Sequence, residues 1–125
     1  MEVLDTFAWI EYFAGSAQGE KVRQCVESGE AITPSIVVAE FTDKYERERT
    51  NPKEQLSFVR TKSSIAPLDD VIAEAAGRIS AQRRTKVKGW GLVDSVVLAT
   101  ARTLEAKVVT GDEHFRDLKE AIMTK

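Results

Sequence analysis

The chain has 125 residues, a formal net charge of −2 and 42% hydrophobic residues, which points to one compact domain over 1–125 needing no disulfide or zinc staple. No apolar run approaches the ~18 residues of a membrane span. The balanced charge and a pI of about 5.5 argue, at first sight, against a nucleic-acid binder.

The acidic start, Met-Glu-Val-Leu-Asp, lacks the basic region of a signal peptide, so none is expected. Val3-Leu4 is a short apolar run that ends at Asp5. A helical pattern follows through Trp9, Ile10 and Phe13 and stops near Gly15-Ser16. Trp9, Tyr12 and Phe13 read as core or subunit-interface residues. Val22, Cys25 and Val26 recur at helical spacing, with Gly29 as the C-cap. Cys25 is the only cysteine, reads as a small core residue, and fits a reducing, cytoplasmic setting. Ala31-Ile32 is a strand candidate. The spacing of Val37, Phe41 and Tyr45 predicts a helix from Pro34 or Ser35. Asn51-Pro52 reads as N-cap and first residue of the next helix, which carries Leu56 and Val59. Ile65-Ala66 is a weak strand. Asp69 or Asp70 caps a helix with Ile72, Ala75, Ala76 and Ile79 on one face. Val93, Val96, Val97, Thr100, Ala101 and Leu104 form the cleanest stripe in the chain. Val108-Val109 and Ala121-Ile122-Met123 are the last strands. Short apolar runs alternating with longer helices indicate an α/β fold with a parallel sheet.

Four carboxylates stand out by position. Asp5 and Asp112 each follow an apolar strand at its C-terminal end, the edge where open α/β sheets bind ligands. Glu40 and Asp94 lie early in helices that begin at that same edge. Taken singly, Asp5, Asp94 and Asp112 read as turn or N-cap residues at least as readily as ligands. Glu40, set among Ile36, Val37, Val38, Ala39 and Phe41, is either a surface position or a ligand. Two carboxylates about 4 Å apart repel by about 4 kcal/mol at an effective dielectric near 20. Their convergence therefore calls for a proton or a divalent cation. Oxygen donors favour Mg²⁺ or Mn²⁺, ions suited to phosphodiester hydrolysis. With one histidine and one cysteine, a zinc site of imidazole and thiolate is not expected.

At these residues the chain resembles the PIN-domain ribonucleases, and within them the VapC toxins of type II toxin–antitoxin systems. The resemblance rests on four segments in order: Val3 to Phe13 around Asp5, Ser35 to Phe41 around Glu40, Gly91 to Ala101 around Asp94, and Val108 to Phe115 around Asp112. It implies a three-layer α/β/α fold with a parallel five-stranded sheet. It also implies a Mg²⁺- or Mn²⁺-dependent endoribonuclease with Asp5, Glu40, Asp94 and Asp112 at the metal. Thr110 matches the hydroxyl residue of the fourth segment, and Thr6 the polar residue after the first acid. An antitoxin partner and a homodimer are implied as well. Two departures stand out. Phe7 replaces a small polar side chain, and His114 stands where some members carry a further acid, with Glu113 a candidate stand-in. His114 itself reads as a local hydrogen-bonding residue.

Between Ala75 and Val93 lie Arg78, Arg83, Arg84, Lys86 and Lys88 and no acid, a local +5. Arg83, Arg84, Lys86 and Lys88 are candidate RNA-binding residues beside the cleft. The alternative is solvated cations at a helix C-terminus. Trp90 reads as a packing residue before a base-stacking one. A receiver domain lacks its acidic pair here, and a dehalogenase-type phosphatase lacks its second Asp, since Phe7 occupies that place. The remaining alternative is a nuclease-inactive PIN domain that binds RNA or protein. The net charge thus averages over a segregated distribution, and the first inference against RNA falls.

Overall fold

A computed structural model describes all 125 residues. Five strands form one sheet: β1 (Glu2–Leu4), β2 (Ala31–Pro34), β3 (Ser64–Ala66), β4 (Lys107–Thr110) and β5 (Ala121–Met123). Every neighbouring pair is parallel and the order is β3-β2-β1-β4-β5. Parallel strands must be joined by crossovers. The crossovers are α1 (Thr6–Ala14) and α2 (Gly19–Ser28), α3 (Ser35–Arg47) and α4 (Lys53–Lys62), then α5 (Asp70–Arg83) and α6 (Leu92–Thr103). Successive residues of β2, and Val108 to Thr110 of β4, are all buried, so both sheet faces are covered by helices. The expected three-layer α/β architecture is what forms.

The chain builds outward from β1 through β2 to β3, then returns across the sheet to place β4 on the other side of β1. Strand order therefore reverses between β1 and β4. In open parallel sheets a crevice opens at such a reversal, beyond the carboxyl ends of the strands. Leu4 is paired with Val109, so Asp5 and Thr110 emerge side by side at that edge.

The core runs continuously through both layers and includes Trp9, Phe41, Leu98 and Phe115, each almost fully buried. Trp9 sits in the core as expected, its indole N–H donating to Thr33 Oγ1 at 3.0 Å. Tyr12 and Phe13 are half-buried and join Phe58 in an aromatic cluster on one flank of Trp9. Cys25 is buried, and burial with a nearby Glu2 pushes its thiol up to about 12. One helix boundary differs from the expectation. Asn51 is not the N-cap of α4. Pro52 holds that place, and Asn51 Oδ1 accepts from the Lys53 N–H in a local turn. No helix is long and apolar enough to cross a membrane.

Candidate active site

Asp5 directly follows β1 and caps α1. Its Oδ1 accepts from the Ala8 N–H at 2.8 Å, and its Oδ2 accepts from the Thr110 hydroxyl. Thr110 Oγ1 in turn accepts from the Asp112 N–H at 2.9 Å. One threonine thus joins the ends of β1 and β4. Asp112 opens a 3₁₀ turn over Glu113–Phe115, and its Oδ1 accepts from the His114 N–H at 2.9 Å. Asp94 lies in the first turn of α6 and accepts from the Gly91 N–H at 3.0 Å. Capping and clustering are therefore compatible, because each cap uses one lone pair of one carboxylate oxygen and leaves the remaining lone pairs of Asp94 and Asp112 available.

Glu40, in the first half of α3, is exposed and accepts from the Thr6 hydroxyl at 2.6 Å. All four acids line one cleft of about 200 Å³, walled by Thr6, Phe7, Ile10, Val93 and Val97. Phe7 stands against Gly111, where any Cβ would come within 2.4 Å of its ring. The aromatic ring thus replaces a polar neighbour of Asp5 with an apolar wall.

The acids do not share one environment. Asp5 is only 6% exposed, and burial, reinforced by Asp112 and Asp94, raises its carboxyl to about 7 despite the donors from Thr110 and Ala8. Burial also raises Asp94, with the Gly91 N–H opposing it. Burial and two neighbouring carboxylates thus both disfavour the charged form of Asp5. The tightest grouping of donor atoms is Asp94, Asp112 and His114, within 4.8 Å of one another. His114, which the sequence presents as a local hydrogen-bonding residue, thus joins two of the four acids. Glu113 turns away and pairs with Arg116 at 2.5 Å.

Arg83 corrects an expectation. It is 8% exposed, and its guanidinium donates twice to Asp117, at 2.8 and 3.0 Å, and once to the His114 carbonyl at 2.8 Å. It also lies over the Trp90 ring, 4.3 Å from the centroid. Residues 72, 76, 79 and 83 form one buried helical stripe, so Arg83 faces inward while Arg84 faces solvent. Arg83 is a clamp on the Asp112–Asp117 segment and is not free to meet phosphate. Arg78 is paired with Glu74. Arg84, Lys86 and Lys88 remain exposed without an ion-pair partner. Trp90 is 4% exposed, donates to Ser95 Oγ at 2.7 Å and packs on Phe115, so it has the packing role expected of it.

A family model described as "PIN domain" matches residues 3–121. A search of curated proteins finds no significant sequence match. Solved structures share the fold at low identity. A toxin–antitoxin complex from Klebsiella pneumoniae superposes with a TM-score of 0.78 at 16% identity, covering 100% of this chain and 98% of that one. VapBC2 from Rickettsia felis, bound to a DNA fragment from its promoter, gives 0.76 at 15% identity over 98% and 96%. VapC20 from Mycobacterium tuberculosis, described as a sarcin-ricin loop cleaving toxin, gives 0.74 at 16% identity, with 95% of each chain covered. With the family model spanning nearly the whole chain and the four acids gathered at the sheet's reversal point, the chain belongs to the PIN domain family.

Proposed function

We propose that the protein is a divalent-metal-dependent endoribonuclease acting in the cytoplasm as the toxin of a type II toxin–antitoxin pair. The observation that carries this reading is the cleft at the β1–β4 reversal, where four carboxylates from separate segments line about 200 Å³. The donor set fits a hard cation. It is rich in carboxylate oxygens, one of them on a buried acid raised to about 7 and lacking compensating charge.

Asp5, Glu40, Asp94 and Asp112 are the residues that would hold Mg²⁺ or Mn²⁺. When bound, such an ion supplies Lewis-acid stabilisation of a phosphoryl oxygen and acidifies a water. The chain's own residues prepare the site for it. Thr110 fixes the Asp5 carboxylate by donating to one oxygen and supports the Asp112 backbone through the same hydroxyl. Thr6 fixes Glu40 in the same way. Phe7 and Val97 give the cleft an apolar wall beside the acids. Arg84, Lys86 and Lys88 carry the positive charge that meets an RNA backbone, on the loop leading into α6. An antitoxin that covers the cleft, and a homodimer, complete the assignment. The fold shared with toxin–antitoxin complexes supports the antitoxin partner, and the homodimer follows from the family resemblance alone.

Cleavage of a structured RNA by the purified chain tests this. Cleavage should require Mg²⁺ or Mn²⁺, stop with EDTA and fall at least ~10²-fold in Asp5→Asn and in Asp94→Asn. A folded wild-type protein that binds RNA but leaves it intact with either ion would point instead to a nuclease-inactive binding module.

A further inference from the structure

The four acids leave the chain's only histidine without a task. His114 Nδ1 is 3.4 Å from Asp112 Oδ1 and 3.8 Å from Asp94 Oδ2. It is sealed from solvent and makes no hydrogen bond, a costly state for a polar atom. The backbone of His114 is held at both its polar groups. The His114 N–H donates to Asp112 at 2.9 Å and its carbonyl accepts from Arg83 at 2.8 Å. On the far side, Nε2 lies against Gly89, where a Cβ would come within 3.0 Å. The backbone is thus anchored, the ring lies against Gly89, and Nδ1 faces two carboxylates.

Two roles fit such a nitrogen: an imidazolium that neutralises the acids, or a neutral ring that ligates a cation. Distances separate them. A charge-assisted N–H···O bond runs at about 2.7–2.9 Å. Neither contact reaches that. Ligands about 2.1 Å from one ion lie about 3 Å apart when adjacent and about 4.2 Å apart when opposite. Both His114 contacts fall inside that interval.

We propose that His114 Nδ1 ligates the divalent ion together with Asp94 and Asp112, making a mixed nitrogen–oxygen centre that prefers Mn²⁺ to Mg²⁺. The inference rests on the reading that this cleft holds a divalent ion. Mn²⁺, a softer first-row ion, accepts an imidazole nitrogen beside carboxylates more readily than Mg²⁺, which gives up water reluctantly. A carboxylate in this place would discriminate far less.

Because the chain has one histidine, a nitrogen signal from imidazole has one source. Pulsed electron paramagnetic resonance of the tag-free protein loaded with Mn²⁺ should show ¹⁴N coupling. Calorimetric titration should show tighter binding of Mn²⁺ than of Mg²⁺. His114→Asp should retain Mn²⁺, lose the nitrogen coupling and reduce the Mn²⁺-over-Mg²⁺ preference by about tenfold or more. Stoichiometric Mn²⁺ without nitrogen coupling in the wild type would overturn the role of His114 and leave the metal cleft standing. No binding of either ion at millimolar concentration would overturn both.

Discussion

Asp5 carries more of the site's physical cost than any other residue. Its carboxyl ionises near 3.8 in an unfolded chain and near 7 in the folded, metal-free protein. Between those values the folded state holds a proton that the unfolded state has released. Stability contributed by the neutral acid is therefore complete below about pH 4 and lost as pH rises through about 7. Asp5→Asn keeps an oxygen for the Ala8 cap and removes the charge. In metal-free protein at pH 8 it should raise the melting temperature by roughly 5–10 °C, while at pH 4 the two proteins should melt alike. Thermal denaturation at the two pH values, with EDTA, checks this. Mn²⁺ should then stabilise the wild type more than the variant.

The elements were readable to different depths, for identifiable reasons. The stripe of α6 and the Val108-Val109 strand were legible because burial on a 3.6 or 2.0 period leaves its mark in composition. The order of the strands was not, since β1 pairs with residues about 30 and 105 positions away and no local signal encodes that choice. The acids were found by their place at strand ends and helix starts. His114 was passed over because a histidine two residues after a turn acid has an ordinary local role, and its ring direction depends on Gly89 and Arg83. Arg83 was misassigned because charge was counted along the chain and not around the helix. Consecutive residues on a helix point about 100° apart, and the stripe through Ile72, Ala76 and Ile79 already led to position 83. The two neighbouring arginines should therefore behave differently. Arg83→Ala should cost roughly 2–3 kcal/mol of stability by removing a bidentate pair, a carbonyl contact and a stacked ring. Arg84→Ala should change stability by less than about 0.5 kcal/mol. In RNA binding the order reverses: Arg84→Glu with Lys86→Glu should weaken affinity and flatten its salt dependence, with a log–log slope smaller by about 1–2. Urea denaturation and binding isotherms at several salt concentrations distinguish the two roles.

At the scale of the whole molecule, net charge is the least informative number in the sequence. The fold separates charge into an acidic cleft at the reversal point and a loop of three unpaired cations leading into α6. On the function proposed, the acidic half would take a cation and the basic half a polyanion. The clamp of Arg83 on the Asp112–Asp117 segment links them, since it anchors the segment that carries Asp112 of the cleft, and His114 beside it, to the helix that feeds the basic loop. The central claim is that this cleft is a divalent-metal centre. Anomalous difference density from crystals soaked in Mn²⁺ tests it most directly. A peak among Asp5, Glu40, Asp94 and Asp112, in contact with His114 Nδ1, is the expected result. An ordered cleft without a peak at millimolar Mn²⁺, with His114 hydrogen-bonded to an acid in the cation's place, would contradict it.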